Sequence, residues 1–163
     1  MSNARNLANL LVKNSTPIVS VRNDSAQTIS ATTWTAVTLD TEIIDTQSNF
    51  ASSTFVVPDV GQYFIVATVE VNCSDTDELS RASMVLYKAP SGGAYSAITG
   101  TEQNWFKDHD SNESATRHSL ASTYMYTSAV GDSIKVYAYA NAGGGTISLQ
   151  GQSCTFIAFK VIG

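Results

Sequence analysis

The chain has 163 residues, a formal charge of −5 and a pI near 4.8, with 43% hydrophobic and 14% charged residues. That length suits one domain with a real core, the hydrophobic share excludes general disorder, and the acidic balance opposes nucleic-acid binding. Charge falls well below the roughly 25% of an ordinary soluble domain, and 39 Ser and Thr residues supply the polarity instead, a surface chemistry commoner in β-rich extracellular or virion proteins than in cytosolic enzymes.

Along the chain, Ala4, Leu7, Ala8, Leu10 and Leu11 recur at spacings of three and four, which predicts a short helical stripe. About ten residues cannot hold a helix alone in water. Residues 1–16 are therefore expected to be a helical or extended anchor arm, with Leu7, Leu10 and Leu11 docked on something else or on copies of themselves. Leu10-Leu11-Val12 is too short an apolar run for a secretory signal, so no Sec export is expected. No stretch approaches the roughly 18 apolar residues of a membrane helix, and no membrane partner is expected.

Pro17 ends the arm, and from there the period is two. Strands are predicted at 17–22, 26–30, 34–40, 54–57, 61–73, 81–88, 119–128, 133–140, 145–149 and 153–162. Their Val, Ile, Thr, Tyr and Phe content is broken by Pro58-Asp59, Gly92-Gly93, Gly131-Asp132 and Gly143-Gly144-Gly145. Ten short strands and no second helix predict an all-β antiparallel sandwich or jelly roll over 17–163.

Strand 61–73 is apolar on both sides. Tyr63, Ile65, Ala67, Val69, Val71 and Cys73 share one face, and Phe64 and Val66 begin the other before Thr68, Glu70 and Asn72. The last strand repeats this, with Phe156 and Ala158 opposed to Ile157, Phe159 and Val161. A sheet with one wet side should alternate cleanly. The second face is therefore expected to be buried by another subunit, or else by a long loop.

Residues 100–118 hold most of the charge of the second half and show no period, so they read as a long surface loop. Trp105 and Phe106 within it are flat, rotamer-poor rings of the kind that hold a saccharide or a partner protein, or else a lid tucked under the loop. His109 and His118 lack an evident third zinc ligand, although His109 belongs to the same candidate binding region. Asp75 and Asp77, and again Asp108 and Asp110, offer alternating oxygens of the kind calcium takes, but neither run has the spacing of an established calcium loop. Solvated turns are the plainer reading, and no cofactor is assigned. Cys73 and Cys154 are too few for a disulfide framework or zinc site. No Gly-x-Ser-x-Gly elbow, His-Glu-x-x-His helix or phosphate loop occurs, so no catalytic residue is assigned and a non-enzymatic role is expected.

The run Leu39…Asp45…Phe50…Phe55…Gly61-Gln62-Tyr63-Phe64-Ile65 resembles the globular head of complement component q and its tumour-necrosis-factor relatives. Leu39 and Ile65 stand where that signature has Phe, and the Phe50–Phe55 gap is shorter than usual. Gly131-Asp132-Ser133-Ile134-Lys135-Val136 and Thr155-Phe156-Ile157-Ala158-Phe159 also fit. The resemblance implies a ten-stranded jelly roll that forms compact homotrimers, the sheet holding 61–73 and the last strand facing the threefold axis. Tyr63, Phe64, Ile65, Val66, Phe156, Ile157 and Phe159 become core or interface anchors, with the inward face left open. The family's sheet order makes these two strands antiparallel neighbours, which puts Cys73 opposite Cys154 with the sulfurs close. The opening Ala4–Leu11 segment is similar to that preceding such heads in phage tail fibres and virion proteins. It implies a virion structural protein held to capsid or tail by its arm, touching other virion proteins, with a host-surface glycan as a further expected partner. A bacterial surface or spore-coat adhesin with a glycan-binding head is the alternative.

Overall fold

A computed structural model describes residues 16–107 and 116–161. Among these are fourteen strands and no helix: β1 (Ile18–Arg22), β2 (Gln27–Thr28), β3 (Thr35–Ala36), β4 (Thr41–Asp45), β5 (Phe50–Ala51), β6 (Thr54–Val56), β7 (Gly61–Cys73), β8 (Leu79–Ala89), β9 (Ser96–Ala97), β10 (Gln103–Phe106), β11 (Arg117–Ser128), β12 (Ser133–Ala142), β13 (Ile147–Leu149) and β14 (Thr155–Val161). The ten strands read from the sequence are all present. Four more, β4, β5, β9 and β10, are short, and most lie in polar sequence. Leu7, Leu10 and Leu11 lie outside the described residues.

All pairings are antiparallel. In the first sheet β7 pairs β11 along one edge, while its other edge takes β14 and then β13 end to end. β1 and β2 continue outward beside β14 and β13, and β4 closes that side. In the second sheet β8 and β12 form the centre. β10 and β9 flank β8, and β6 and β3 flank β12, with β5 outermost beside β6.

The core lies between the sheets. Tyr63, Ile65, Ala67, Val69 and Val71 of β7 are fully buried there, against Met84 and Leu86 of β8 and Ile134 of β12. Phe156 joins Phe50 and Phe55 at ring distances of 6.2 and 5.9 Å, and Phe55 reaches Tyr63 at 5.7 Å. Tilted rings at such separations add to the burial energy. At one end Tyr126 donates its hydroxyl to Asp132 (2.6 Å), whose carboxylate also accepts the Ala129 amide (2.9 Å). Burial first, then this carboxylate, pushes the Tyr126 hydroxyl well above its ordinary pKa.

The β5–β6 turn is strained. Ala51 pairs Thr54, so Ser52 and Ser53 form a two-residue loop, and both are left-handed (φ 50° and 57°). Asn-Gly normally fills such turns, because a side chain there costs about 1–2 kcal/mol. Ser53 offsets the strain by accepting the Leu39 amide at 2.9 Å and donating back to the Leu39 carbonyl at 3.3 Å.

The cysteine pairing needs correction. Thr155 faces Thr68 in the β14–β7 ladder, whereas Ile147 faces Cys73 in the β13–β7 ladder. The turn between β13 and β14 inserts extra residues, with Gln152 left-handed (φ 64°). Continuing the β14 register places Cys154 opposite Val69, four residues from Cys73, or about 13 Å of strand. Both thiols are buried and free. Cys73 points its sulfur at the Gly144 carbonyl (3.3 Å), and burial pushes the Cys154 thiol up.

Candidate functional site

Alternation in β7 sends Phe64, Val66, Thr68, Glu70 and Asn72 to the outer side of the first sheet. Neighbouring strands align their outward residues in rows across it. The first row runs Met125–Phe64–Phe159–Ile18 and the second Thr123–Val66–Ile157–Ser20–Ile44. Phe64 and Phe159 lie 5.3 Å apart. Met125 and Ile44 are each 48% exposed, and Phe159 and Ile18 each 37%. No described loop therefore covers this apolar end.

Further along, the face turns polar. The Thr68 and Thr155 hydroxyls share a 2.7 Å hydrogen bond, with Ala121 and Arg22 in the same row. Glu70 then accepts the Ser119 hydroxyl (3.1 Å) and pairs with Arg117 Nε (3.2 Å), while Arg117 reaches Gln150 at 3.4 Å. One sheet face thus grades from aliphatic and aromatic rows to hydroxyls to an ion pair.

The two faces of these strands divide between the core and the outer side of the sheet. Tyr63, Ile65 and Phe156 belong to the sandwich core and cannot meet another molecule; Phe64, Val66, Ile157 and Phe159 form the outer rows.

The loop reading of 100–118 is corrected in part, since β10 and the start of β11 fall inside it. Trp105 and Phe106 also part company, because neighbours on a strand point to opposite faces. Trp105 packs on the core edge and stacks on His118 of β11 (4.6 Å between rings, 18° between planes). Desolvation lowers the His118 pKa, so the imidazole is neutral near pH 7. Phe106 turns outward and is 61% exposed. His109, Asp108 and Asp110 lie outside the described residues.

Asp75 and Asp77 do not fit a calcium site. Asp75 accepts the Ser74 hydroxyl (3.1 Å), and Asp77 pairs with the Lys107 ammonium (2.6 Å), a cation already in place. Among the described residues no three His, Cys, Asp or Glu side chains converge on a common point.

The outer face of the second sheet escaped the sequence reading. Arg81 of β8 lies between two rings, with its guanidinium 4.9 Å from the Phe106 centroid and 4.6 Å from that of Tyr139 on β12. Trp34 continues the series 5.4 Å beyond Tyr139. Arg81 donates to Ser83 (3.0 Å) and to the Asn104 side-chain carbonyl (2.9 Å), and Glu102 lies 3.7 Å away. Asn104 donates in turn to Glu102 (3.0 Å). These residues are far apart in sequence, and the β10–β8–β12 register rather than any local pattern brings them together.

Solved structures share the architecture. The globular domain of zebrafish complement 1qA protein aligns over 91% of this chain and 98% of its own, at TM-score 0.58 and 17% identity. The Eiger TNF of S. frugiperda aligns over 90% and 93%, at 0.64 and 13%, and murine APRIL at pH 5.0 over 90% and 100%, at 0.63 and 15%. The fold is the C1q/TNF-like jelly roll. No family model matches the chain, and no curated protein sequence is similar to it.

Proposed function

We propose that this chain is a non-enzymatic structural head that assembles as a homotrimer through the outer face of its first sheet. The carrying observation is the pair of rows Met125–Phe64–Phe159–Ile18 and Val66–Ile157, apolar and uncovered on a sheet whose other side already holds the core. A contiguous apolar patch rimmed by polar groups marks a contact surface. The flanking hydroxyls and the Glu70–Arg117 pair set register more than affinity. The setting is a phage virion, with residues 1–16 holding the head to capsid or tail and the head free to contact a host surface. That placement rests on the likeness of the N-terminal segment to those of phage fibre proteins. A cell-surface or spore-coat adhesin would use the same subunit contact.

Light scattering on the full chain tests the assembly. Three times the 17.4 kDa chain mass is expected at micromolar concentration, falling to a single chain mass in Phe159→Glu with the β spectrum unchanged. A monomeric parent protein overturns the reading. Labelled chain found on purified particles, and lost when residues 1–16 are removed, tests the virion setting.

A further inference from the structure

From the outer face of the second sheet we infer a binding site for a neutral pyranose, centred on the Phe106 ring beside Asn104 and Glu102. Its platform is the series Phe106–Arg81–Tyr139–Trp34, which crosses the strands at successive separations of 4.9, 4.6 and 5.4 Å. A guanidinium between two rings is held by cation–π attraction on both sides, and Arg81 is further fixed by Ser83 and Asn104. The rings are therefore locked before any ligand arrives, which removes much of the ordering cost of binding.

Phe106 is the decisive residue. It lies at the end of the series, 61% exposed, with Arg81 on one side. A ring fixed this way offers a flat apolar surface with no core to fill. Beside it, Asn104 and Glu102 are exposed and hydrogen-bonded to each other (3.0 Å). An apolar plane flanked by an amide and a carboxylate matches a pyranose, which has an apolar C–H face and equatorial hydroxyls around its edge. The charge argues for a neutral sugar: Arg81 is already matched by Glu102 at 3.7 Å and by two hydrogen bonds, so no free cation waits for an acidic group. A protein contact of useful size would need a broad apolar core; that feature belongs to the first sheet, on the far side of the sandwich. The inference holds for a monomer or a trimer and does not depend on the assembly reading.

The chain reports on itself, because the Asn104 side-chain amide lies beside the Phe106 site while Trp34 stands at the far end of the series. Methyl glycosides of glucose, galactose, mannose and N-acetylglucosamine, and disaccharides of each, are titrated to about 20 mM, a range suited to weak sugar sites, against isotopically labelled full-length protein. At least one should move the Asn104 side-chain amide resonances and leave the Trp34 indole N–H in place. Phe106→Ala should weaken that midpoint by several-fold to about tenfold, the scale of one ring contact. Glu102→Gln, which keeps the ring series, should weaken it too. Unchanged association mass in both variants separates this outcome from loss of assembly. The inference is overturned if no neutral saccharide moves the Asn104 side-chain amide, if Phe106→Ala binds as well as the parent, or if only an acidic sugar such as N-acetylneuraminic acid binds.

Discussion

The two outer faces of this sandwich have the same backbone and opposite chemistry. On the first sheet, outward residues at the apolar end are Phe64, Val66, Ile157, Phe159, Met125 and Ile18, with side chains that gain only by leaving water. On the second, β8 and β12 place Arg81, Lys135, Tyr137 and Tyr139 on the outer side, rings and cations that hold one another. Tyr87 and Tyr137 lie 4.3 Å apart, and Lys135 sits 5.1 Å from the Tyr95 ring. Aliphatic rows have no preferred partner beyond another apolar surface, which suits a contact between copies. Paired rings and guanidinium are satisfied within the chain and keep their polar edges available, which suits a small polar ligand. An exposed sheet face is thus not one kind of site; its meaning depends on whether its side chains are already matched.

The sharpest way to break this contrast is to compare two phenylalanines three residues apart. Phe156→Ala should cost about 3–5 kcal/mol of unfolding free energy, as for a fully buried ring, and lower the melting midpoint at any concentration. Phe159→Ala should leave monomer stability nearly intact and weaken association instead, seen as a mass that falls on dilution. Equal losses of stability would show that both rings are core. Next in size is the Tyr126–Asp132 hydrogen bond, remote from both faces. Tyr126→Phe deprives Asp132 of a buried donor and should cost about 1–3 kcal/mol by chemical denaturation, with no change in mass.

Smaller effects sharpen the comparison. Ser52→Gly relieves a left-handed side chain and should raise stability by about 1 kcal/mol. Ser53→Gly should gain less, because it also deletes both Leu39 hydrogen bonds. The smallest effect is pH. The folded pKa of His118 is lowered by desolvation, so the unfolded chain binds its proton more readily. The contribution of His118 is full above about pH 6.5 and is lost as pH falls through the unfolded value towards the folded one. His118→Gln should flatten that part of the stability profile, read as melting midpoint between about pH 7 and 5.

The long strands could be read closely because their alternation is unbroken: Gly61–Cys73 is predicted and found with the same ends. Short strands such as β4 and β9 were missed because two to five residues, mostly polar, carry no period; pairing partners, not propensity, make them strands. β10 was hidden in the charged stretch around it. The Cys73–Cys154 juxtaposition failed for a different reason. It assumed that the last strand runs beside the whole of 61–73, whereas β14 pairs only Gln62–Thr68 and β13 takes the far end, so Ile147 rather than Cys154 meets Cys73.

From residue order alone, the protein was bound to be an all-β sandwich with two-sided strands at 61–73 and near its end, since period-two alternation of branched and aromatic residues is a local property. Which side of Phe64 and Tyr63 would be wet, and that Arg81, Tyr139, Phe106 and Trp34 would meet in one series, was decided only in three dimensions. Alternation divides a strand into two faces without saying which one meets the opposite sheet, and register across a sheet depends on every turn between the paired strands.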